Sequence, residues 1–193
     1  MIKTRADLKY YIECDRAAYG IEKKFTMFFP SYRIYNMQKL YRKTEYLYNN
    51  KNLFNYMVYL FYKIRLKIKL NKLNSEIPLN VFEEGLVIWH GQNIIVNSNA
   101  RVGKNFSISA GCCIGQAHNA APTIGDNVEM TIGSRVLGGI HVCNDVTIGA
   151  GALVVKSIDE PYTTWGGVPA RIISKNLNQY VADKKIKLER IYR

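Results

Sequence analysis

The sequence predicts a mainly β solenoid, a parallel β-helix, preceded by an α-helical segment and followed by a short helical tail. The first observation is a six-residue repeat from Val96 to Ile158, and self-similarity at a fixed period is typical of solenoids. An α-helix would repeat its apolar face near 3.6 residues and a simple strand at two. Every sixth residue is apolar in the column Val96, Val102, Ile108, Ile114, Ile124, Met130, Val136, Val142, Ile148 and Val154.

Two further columns support the same fold. One is apolar except at Ser134, with the members Ile94, Ala100, Phe106, Cys112, Val128, Ser134, Ile140, Val146, Ala152 and Ile158. The other contains only Asn, Gly and Asp: Asn93, Asn99, Asn105, Gly111, Asn127, Gly133, Gly139, Asp145 and Gly151. These residue types tolerate left-handed backbone angles. We therefore expect a sharp turn every six residues, with three six-residue sides closing each coil around a continuous core.

One interruption of the repeat predicts a loop. Ile114 and Ile124 are ten residues apart rather than six, so four extra residues lie between Gln116 and Thr123. Loops that leave a rigid scaffold often carry binding and catalytic residues. A neutral insertion is the alternative.

Charge divides the chain into three parts. Residues 1–80 hold 16 Lys and Arg against 6 Asp and Glu, residues 81–170 hold 4 against 7, and residues 171–193 hold 7 against 2. We expect an α-helical segment over 1–74, the β-helix catalytic domain over 75–170, and a basic C-terminal tail over 171–193. Basic regions attract nucleic acid, anionic membranes or ligand phosphates, and charge alone does not choose between them.

The helical segment carries an amphipathic stripe. Leu53, Met57, Leu60, Ile64 and Ile68 recur at helical spacing, with Lys63, Arg65, Lys67 and Lys69 nearby. We expect the stripe to pack on the protein's own domain or on a neighbouring subunit. Peripheral membrane contact is the alternative. The first thirty residues are rich in charge and the longest apolar run is too short to span a bilayer, so we expect a cytoplasmic location.

Residues 75–175 resemble the serine acetyltransferase-like hexapeptide-repeat acyltransferases, particularly the O-acetyltransferases of polysaccharide gene clusters. The segments that carry the resemblance are 76–78 (EIP), 85–91 (GLVIWHG), 95–97 (IVN), 121–126 (APTIGD) and 166–171 (GGVPAR), with 7–16 (DLKYYIECDR) resembling the opening helix of the polysaccharide-linked group. The resemblance implies a left-handed β-helix, a homotrimer with active sites between subunits, acetyl-coenzyme A as the acetyl donor, and no metal.

The resemblance assigns His90 as the general base. Counted back from Val96, His90 also falls in the first apolar column, where an imidazole needs an explanation. Acetyl transfer to an alcohol needs a group that removes the hydroxyl proton, and imidazole suits this near neutral pH. A carboxylate on the other ring nitrogen would orient the imidazole. Glu76 is the best candidate for that role, and Glu83 and Glu84 are rivals.

Two departures from the serine-using enzymes concern the acceptor. Trp89 stands where those enzymes have an Asp before the histidine, and residues 119–122 (NAAP) replace a D-R-H-P-like segment. Trp89 offers a flat apolar face for a sugar ring, and His118 lies on the predicted loop. We therefore expect O-acetylation of a surface polysaccharide or its saccharide precursor, with serine O-acetylation for cysteine biosynthesis as the alternative.

The resemblance also predicts where coenzyme A binds. Its pantetheine arm is expected along the C-terminal coils at Gly133, Gly149 and Ala150. The loop beginning at Gly167 would close over it, and Arg171 and Lys175 would meet phosphates through charge-assisted hydrogen bonds.

Three other functional classes are less well supported. A non-catalytic coenzyme A-binding module would retain binding without turnover. A zinc lyase needs three suitably spaced histidines, and the spacing of His90, His118 and His141 does not match. The basic ends contain no nucleic-acid-binding motif, so we expect no nucleic-acid partner.

Overall fold

The computed structural model describes residues 1–21, 30–176 and 178–192. Three helices come first: α1 (Arg5–Ala18), α2 (Pro30–Asn49) and α3 (Leu53–Asn71). A capping box at Thr4 and Asp7 starts α1, and the Asn52 side chain caps α3. The strands are β1 (Val87–Trp89), β2 (Ile95–Val96), β3 (Arg101–Val102), β4 (Ser107–Ser109), β5 (Cys113–Gly115), β6 (Thr123–Ile124), β7 (Glu129–Met130), β8 (Arg135–Leu137), β9 (His141–Val142), β10 (Val146–Ile148), β11 (Leu153–Val154), β12 (Thr163–Gly166) and β13 (Arg171–Ser174), and α4 (Gln179–Tyr192) ends the chain.

The strands form three sheets that are the sides of a solenoid of about four turns. Sheet 1 has the order β1-β4-β7-β10-β12-β13, sheet 2 the order β11-β8-β5-β2, and sheet 3 the order β3-β6-β9. Neighbouring strands are parallel except in the β12–β13 hairpin. Single bridges from Glu76 to Ile95 and from Phe82 to Val102 extend sheets 2 and 3, so the first coil starts at Glu76. The predicted parallel β-helix is confirmed.

The two apolar columns fill the core of the solenoid. All ten members of the first column are buried, as are nine of the ten in the second, where Ile140 is half-buried. The polar exception, Ser134, is also buried, and its hydroxyl lies 3.5 Å from Cys112 Sγ. The six-residue repeat is therefore a correct indicator of which side chains point inward.

The turn column is only partly as predicted. Seven of its nine residues have positive φ, whereas Asn99 and Gly139 do not. At the Gly139 turn the left-handed residue is Gly138, with φ of 95°. The prediction of a left-handed turn every six residues is wrong at these two positions, because both lie at turns joining sheet 2 to sheet 3, where the chain bends differently.

The free edge of the first coil is covered by polar side chains of α1 and α2. Asp15 of α1 accepts hydrogen bonds from Gly85 N–H and Leu86 N–H, both at 2.9 Å. The Asp15 carboxylate also pairs with Arg42 of α2 at 2.8 Å, and both side chains are buried. Arg42 in turn donates to the carbonyls of Phe82 and Glu83 at 2.9 and 2.7 Å.

Other helix side chains continue this cover along the same edge. Gln38 donates to Leu86 O at 2.8 Å, Tyr41 donates to Pro78 O at 2.9 Å, and Glu45 accepts from Asn80 N–H at 2.7 Å. An unpaired sheet edge is both unsatisfied and prone to pairing with other chains. The helical segment therefore satisfies the backbone groups that the solenoid leaves free at its start.

The C-terminal region returns to the body of the protein. Arg171, where the sequence predicts the tail to begin, starts β13 inside a hairpin of sheet 1. Helix α4 packs against α1 and carries the buried Lys184, whose Nζ donates to Asn105 O, Phe106 O and Ser107 Oγ at 2.6, 3.1 and 3.0 Å. Burial lowers the pKa of Lys184 to about 7.

Helix α3 has two apolar faces. Tyr59, Leu66 and Leu70 are buried against the rest of the protein, but the predicted stripe at Leu53, Met57, Leu60, Ile64 and Ile68 is not. Packing of the stripe on the protein's own domain is therefore wrong. Within the described ranges, no helix has the length and apolar character needed to cross a bilayer.

We expect Asp15→Asn to destabilise the protein strongly. The amide would remove one of the two buried carboxylates that pair with Arg42 and leave Glu45 as the other, so the free energy of unfolding should fall by about 3 kcal/mol. Urea unfolding measures the change. Glu13→Gln is the control, because Glu13 pairs with Arg16 at the surface and should contribute less than about 1 kcal/mol. Equal losses in the two variants would contradict a structural role for the Asp15–Arg42 pair.

Candidate active site

His90 lies at the turn that joins sheet 1 to sheet 2 in the first coil. Strand β1 pairs with β4 so that Ile88, not His90, aligns with the inward-facing Ile108. From Ile88 to Val96, the next member of the first apolar column, there are eight positions instead of six. The prediction that His90 occupies the inward apolar column is wrong, because the turn contains two additional residues.

The local backbone presents His90 to solvent. Its side chain is exposed and its φ is 62°, in the left-handed region. A non-glycine residue in this region stores strain, and such residues cluster at functional sites. Within the described part of the chain, no hydrogen bond to the His90 side chain is present. The imidazole is therefore accessible to a substrate.

Buried contacts hold the turn from the inside. Ser75 Oγ donates to Gly91 O at 2.8 Å and accepts from Ile94 N–H at 3.0 Å. A Cβ at Gly91 would lie 3.0 Å from Ile34 Cδ1 and 3.4 Å from Leu73 Cδ1. Residue 91 is thus packed tightly against α2 and the end of α3, which fixes the position of His90.

Glu76 lies beside the same turn. It follows Ser75 directly and pairs with Ile95 of sheet 2, and its side chain is exposed. No hydrogen bond or ion pair links Glu76 to His90 among the residues the structure describes. The role of Glu76 as the orienting carboxylate stays a prediction.

The two rival carboxylates are engaged elsewhere. Glu83 accepts from the Tyr11 hydroxyl and, at 3.3 Å, from the N-terminal ammonium. Burial acts to raise the pKa of Glu83, but these two donors outweigh it and the pKa is lowered. Glu84 is buried and pairs with Lys104 at 3.1 Å. Both side chains therefore have structural roles away from the His90 turn.

Trp89 is part of an aromatic cluster. Its ring makes edge-to-face contacts with Tyr19 of α1 and Tyr180 of α4, at centroid distances of 5.8 and 6.1 Å. The Tyr19 hydroxyl accepts from Ile88 N–H at 2.9 Å. Trp89 thus joins the N- and C-terminal helices to the strand before His90, and its predicted contact with the acceptor stays a prediction.

The predicted loop around His118 is a tight hairpin. Ala117 and Ala120 exchange two backbone hydrogen bonds of 3.0 Å, and the two residues between them, His118 and Asn119, have positive φ. This is the geometry of a two-residue type I′ turn. The side chain of His118 is exposed. The predicted loop is thus present, and its inserted residues close on themselves as a hairpin.

His118 and His90 lie at different corners of the coil. The hairpin joins sheet 2 to sheet 3, whereas His90 joins sheet 1 to sheet 2. One chain alone does not bring the two histidines together. His141 is exposed, as its sequence position predicts.

The residues predicted to contact the pantetheine arm lie at the corner that His90 begins. This corner, called here the sheet 1–2 corner, is formed in successive coils by residues 90–94, 110–112, 131–134 and 149–152, and it is extended by the loop of the β12–β13 hairpin, residues 167–170, which hydrogen-bonds Leu153 of β11. Gly111 N–H bonds Gln92 O, Gly133 N–H bonds Ala110 O, and Gly151 N–H bonds Ile132 O, at 2.9 Å each, so the turns stack directly. Gly133, Gly149, Ala150 and Gly167 all belong to it.

The far end of the corner is basic. Gly167, Arg171 and Lys175 are exposed, and Gly167 O accepts from Leu153 N–H at 3.0 Å. Since coils stack about 4.8 Å apart, four coil spacings place Gly167 roughly 19 Å from the His90 turn. A long ligand with a reactive end and an anionic end would fit such a corner.

Sequence reasoning missed the residues that support this site. Ser75 fixes the turn, and Tyr19 and Tyr180 enclose Trp89. Tyr19 and Tyr180 lie outside the repeat and reach the site only through the packing of α1 and α4, so no local pattern identifies them. Ser75 precedes Glu76 directly, but nothing in its spacing distinguishes it.

Comparison of the sequence with known proteins identifies serine acetyltransferases. The Staphylococcus epidermidis enzyme is 34% identical over 94 residues, which is 47% of this chain and 44% of that enzyme. The Staphylococcus xylosus enzyme is 34% identical over 95 residues, with the same coverage. The matched region thus spans less than half the length of the curated relatives. No family model matches the chain.

Solved structures match over most of the chain. A serine acetyltransferase in complex with cysteine superimposes with a TM-score of 0.68 at 22% identity, covering 88% of this chain and 71% of that one. The Neisseria gonorrhoeae serine acetyltransferase gives a TM-score of 0.69 at 23% identity, covering 93% and 71%. A complex with coenzyme A gives 0.65 at 21% identity, covering 88% and 71%.

These matches confirm the predicted fold class and the predicted resemblance. The protein has the left-handed hexapeptide-repeat β-helix fold of the serine acetyltransferase-like acyltransferases. At this level of identity the structural matches establish the fold alone.

We expect Ser75→Ala to loosen the turn that carries His90. The change leaves Gly91 O and Ile94 N–H buried without partners, so the free energy of unfolding should fall by about 1–3 kcal/mol. Denaturant unfolding measures it. Ser157→Ala is the matched control: Ser157 accepts from His141 N–H at 3.1 Å but is exposed, so its loss should be smaller. A Ser75→Ala loss no larger than the control would refute the support assigned to Ser75.

Proposed function

We propose that the protein is an acetyl-coenzyme A-dependent O-acetyltransferase that uses His90 as general base, with L-serine as the acceptor. The observation that carries the proposal is the position of an exposed, left-handed histidine at the start of an open corner formed by small residues. The two sequence relatives described above are named serine acetyltransferases, which supports the choice of reaction and of acceptor.

In the proposed reaction the exposed imidazole of His90 accepts and then returns a proton. The imidazole removes the proton of the acceptor hydroxyl as the oxygen attacks the thioester carbonyl, which forms the new C–O bond. The C–S bond then breaks, and the imidazolium returns the proton to the departing thiolate of coenzyme A. General-base assistance of this kind contributes ~10²- to 10⁴-fold to a rate.

The sheet 1–2 corner is the proposed path of the donor. Glycine and alanine at Gly133, Gly149, Ala150 and Gly167 leave the backbone open to a pantetheine arm, and Arg171 and Lys175 supply cations for its phosphates. One solved structural neighbour is a complex with coenzyme A, which supports this class of ligand. The thioester would then lie at the His90 end.

The choice of acceptor differs from the one the sequence alone favours. None of the relatives or neighbours reported above supports a saccharide acceptor, whereas serine acetyltransferases recur among them. Trp89 and residues 119–122 still depart from the pattern of the serine-using enzymes. A saccharide is therefore the second acceptor to assay.

A homotrimer would complete the site. His118 and His90 lie at different corners of one chain, and threefold packing of solenoids would place a corner of one subunit beside another. We propose that the active site lies between subunits and that His118 of a neighbour faces the acceptor there. A cytoplasmic location and the absence of a metal and of a nucleic-acid partner stay predictions.

We expect His90→Asn to lower kcat for coenzyme A release by about 100-fold or more. Asn is preferred to Ala here because it tolerates the left-handed backbone at this position. The assay follows free thiol from acetyl-coenzyme A with L-serine, with a panel of nucleotide sugars and oligosaccharides, and with water alone.

His141→Asn is the control, because His141 is also exposed but starts β9 in sheet 3, away from the sheet 1–2 corner. It should leave the rate unchanged. Acceptor-dependent release that survives His90→Asn would remove His90 as the base. Coenzyme A binding without release for any acceptor would favour a non-catalytic binding module.

We expect Ala150→Trp to weaken acetyl-coenzyme A binding about tenfold or more, a loss of about 1.4 kcal/mol. The indole would occupy the corner along which the pantetheine arm is proposed to run. Val155→Trp is the control, since Val155 is also exposed but follows β11 at the next corner. Titration calorimetry with coenzyme A measures both. Equal affinity in the two variants would place the donor elsewhere.

A further inference from the structure

Helix α3 presents an apolar surface to solvent along its whole length. Its exposed members, called here the α3 stripe, are Leu53, Tyr56, Met57, Phe61, Ile64 and Ile68, and they are between 45% and 93% exposed. At 1.5 Å per residue the helix is about 28 Å long. A continuous apolar surface of this kind on a helix whose other face is already buried indicates an interaction site.

Basic residues border the α3 stripe on both sides. By helical spacing, Lys63 and Lys67 lie along one margin, and Arg65, Lys69 and Lys72 lie along the other. All five side chains are exposed. None of them pairs with a carboxylate in the part of the chain that the structure describes.

Acidic residues are nearly absent from this part of the molecule. Between residues 30 and 75 the sequence contains one acidic residue, Glu45, which is buried and pairs with Arg42 at 3.0 Å. The surface around the α3 stripe is therefore strongly basic, and the exposed Glu76, which shares a cavity with Lys63 and Lys67, is an acidic residue at its border.

A basic concavity adjoins the C-terminal end of the stripe. Its volume is about 300 Å³, and it is lined by Arg33, Lys69 and Lys72 around an apolar floor of Ile34, Met37 and Leu73. Three cations around one concavity repel each other, and an anionic group among them would relieve that repulsion. The size and charge suit a phosphate-bearing headgroup.

We propose that α3 is an interfacial helix that binds the protein to a membrane containing anionic phospholipids. The stripe enters the boundary between headgroups and acyl chains, and the bordering Lys and Arg residues contact lipid phosphates. Charge complementarity selects this partner over a second copy of the chain, because two α3 stripes packed face to face would bring their basic margins together. The helix lies along the surface and does not cross it.

The geometry relates this surface to the proposed active site. Ile34 and Leu73, on the floor of the concavity, also contact the backbone beside Gly91, next to His90. Membrane binding through α3 would hold the His90 turn close to the lipid surface. The inference stands on α3 alone and does not require the proposed acetyl transfer.

The test is flotation of the purified full-length protein with vesicles of phosphatidylcholine alone or mixed with phosphatidylglycerol. We expect binding to the anionic vesicles at least about tenfold tighter than to the neutral ones, weakening as salt is raised. Phe61→Glu/Ile64→Glu should lose this binding. Ile173→Glu, a single change of the same kind at a residue that is 66% exposed on β13, should retain it, and so should not match the loss seen for either Phe61→Glu or Ile64→Glu alone.

Three outcomes would overturn the inference: no binding to anionic vesicles, equal binding by the wild type and the stripe variant, or loss of binding in Ile173→Glu as well. Sedimentation of the same variants tests whether the α3 stripe instead binds a second copy of the chain. If Phe61→Glu/Ile64→Glu reduces the particle mass and the wild type does not float, the stripe is an interface between copies. Circular dichroism confirms that the variants are folded, and the coenzyme A release assay, read separately, reports on the proposed reaction.

Discussion

The first coil of a β-helix has a free sheet edge, and the rest of this structure depends on the side chains that hydrogen-bond that edge. The first coil, from Glu76 to Trp89, has no preceding coil to pair with, so its outer carbonyls and amides need other partners. Side chains of α1 and α2 supply them: Asp15, Gln38, Arg42 and Tyr41 bond backbone groups between Pro78 and Leu86. Much of that cover depends on one buried pair, Asp15–Arg42.

This arrangement has a direct consequence for the site. Strand β1, which ends one residue before His90, is the edge strand of sheet 1, and helices at both ends of the chain contact it or its neighbours. Tyr19 fixes the backbone at Ile88, and Ser75 fixes the turn after His90. The histidine is exposed, but the backbone that presents it is held by buried contacts. Catalysis requires that the reactive side chain is held in a fixed position relative to its substrate, and a rigid backbone provides this.

The sequence alone predicts the solenoid well, because its core depends on a strictly periodic pattern. The apolar columns identify the inward side chains, since each occupies an equivalent place in successive coils. The exact position of His90 could not be obtained in the same way. Two extra residues at its turn shift the register, and the repeat contains no signal for them before the strand pairing of Ile88 with Ile108 is known.

Other features escape prediction for related reasons. The loop at His118 is predicted from the interrupted repeat, but its closing into a hairpin is not, because that depends on the pairing of Ala117 with Ala120. The cover over the first coil comes from side chains that lie between 35 and 71 positions away in sequence from the backbone groups they bond, and no local pattern connects them. The spacing of Leu53, Met57, Ile64 and Ile68 indicates an apolar face on α3. That this face is exposed to solvent in the folded chain cannot be predicted from the spacing.

The most direct test of the account is a crystal structure of the protein with coenzyme A. The account predicts that the thiol lies beside His90, that the pantetheine arm follows the sheet 1–2 corner past Gly133 and Ala150, and that the phosphates approach Arg171. Coenzyme A bound at another corner, or with its thiol far from every His90 in the assembly, would contradict it.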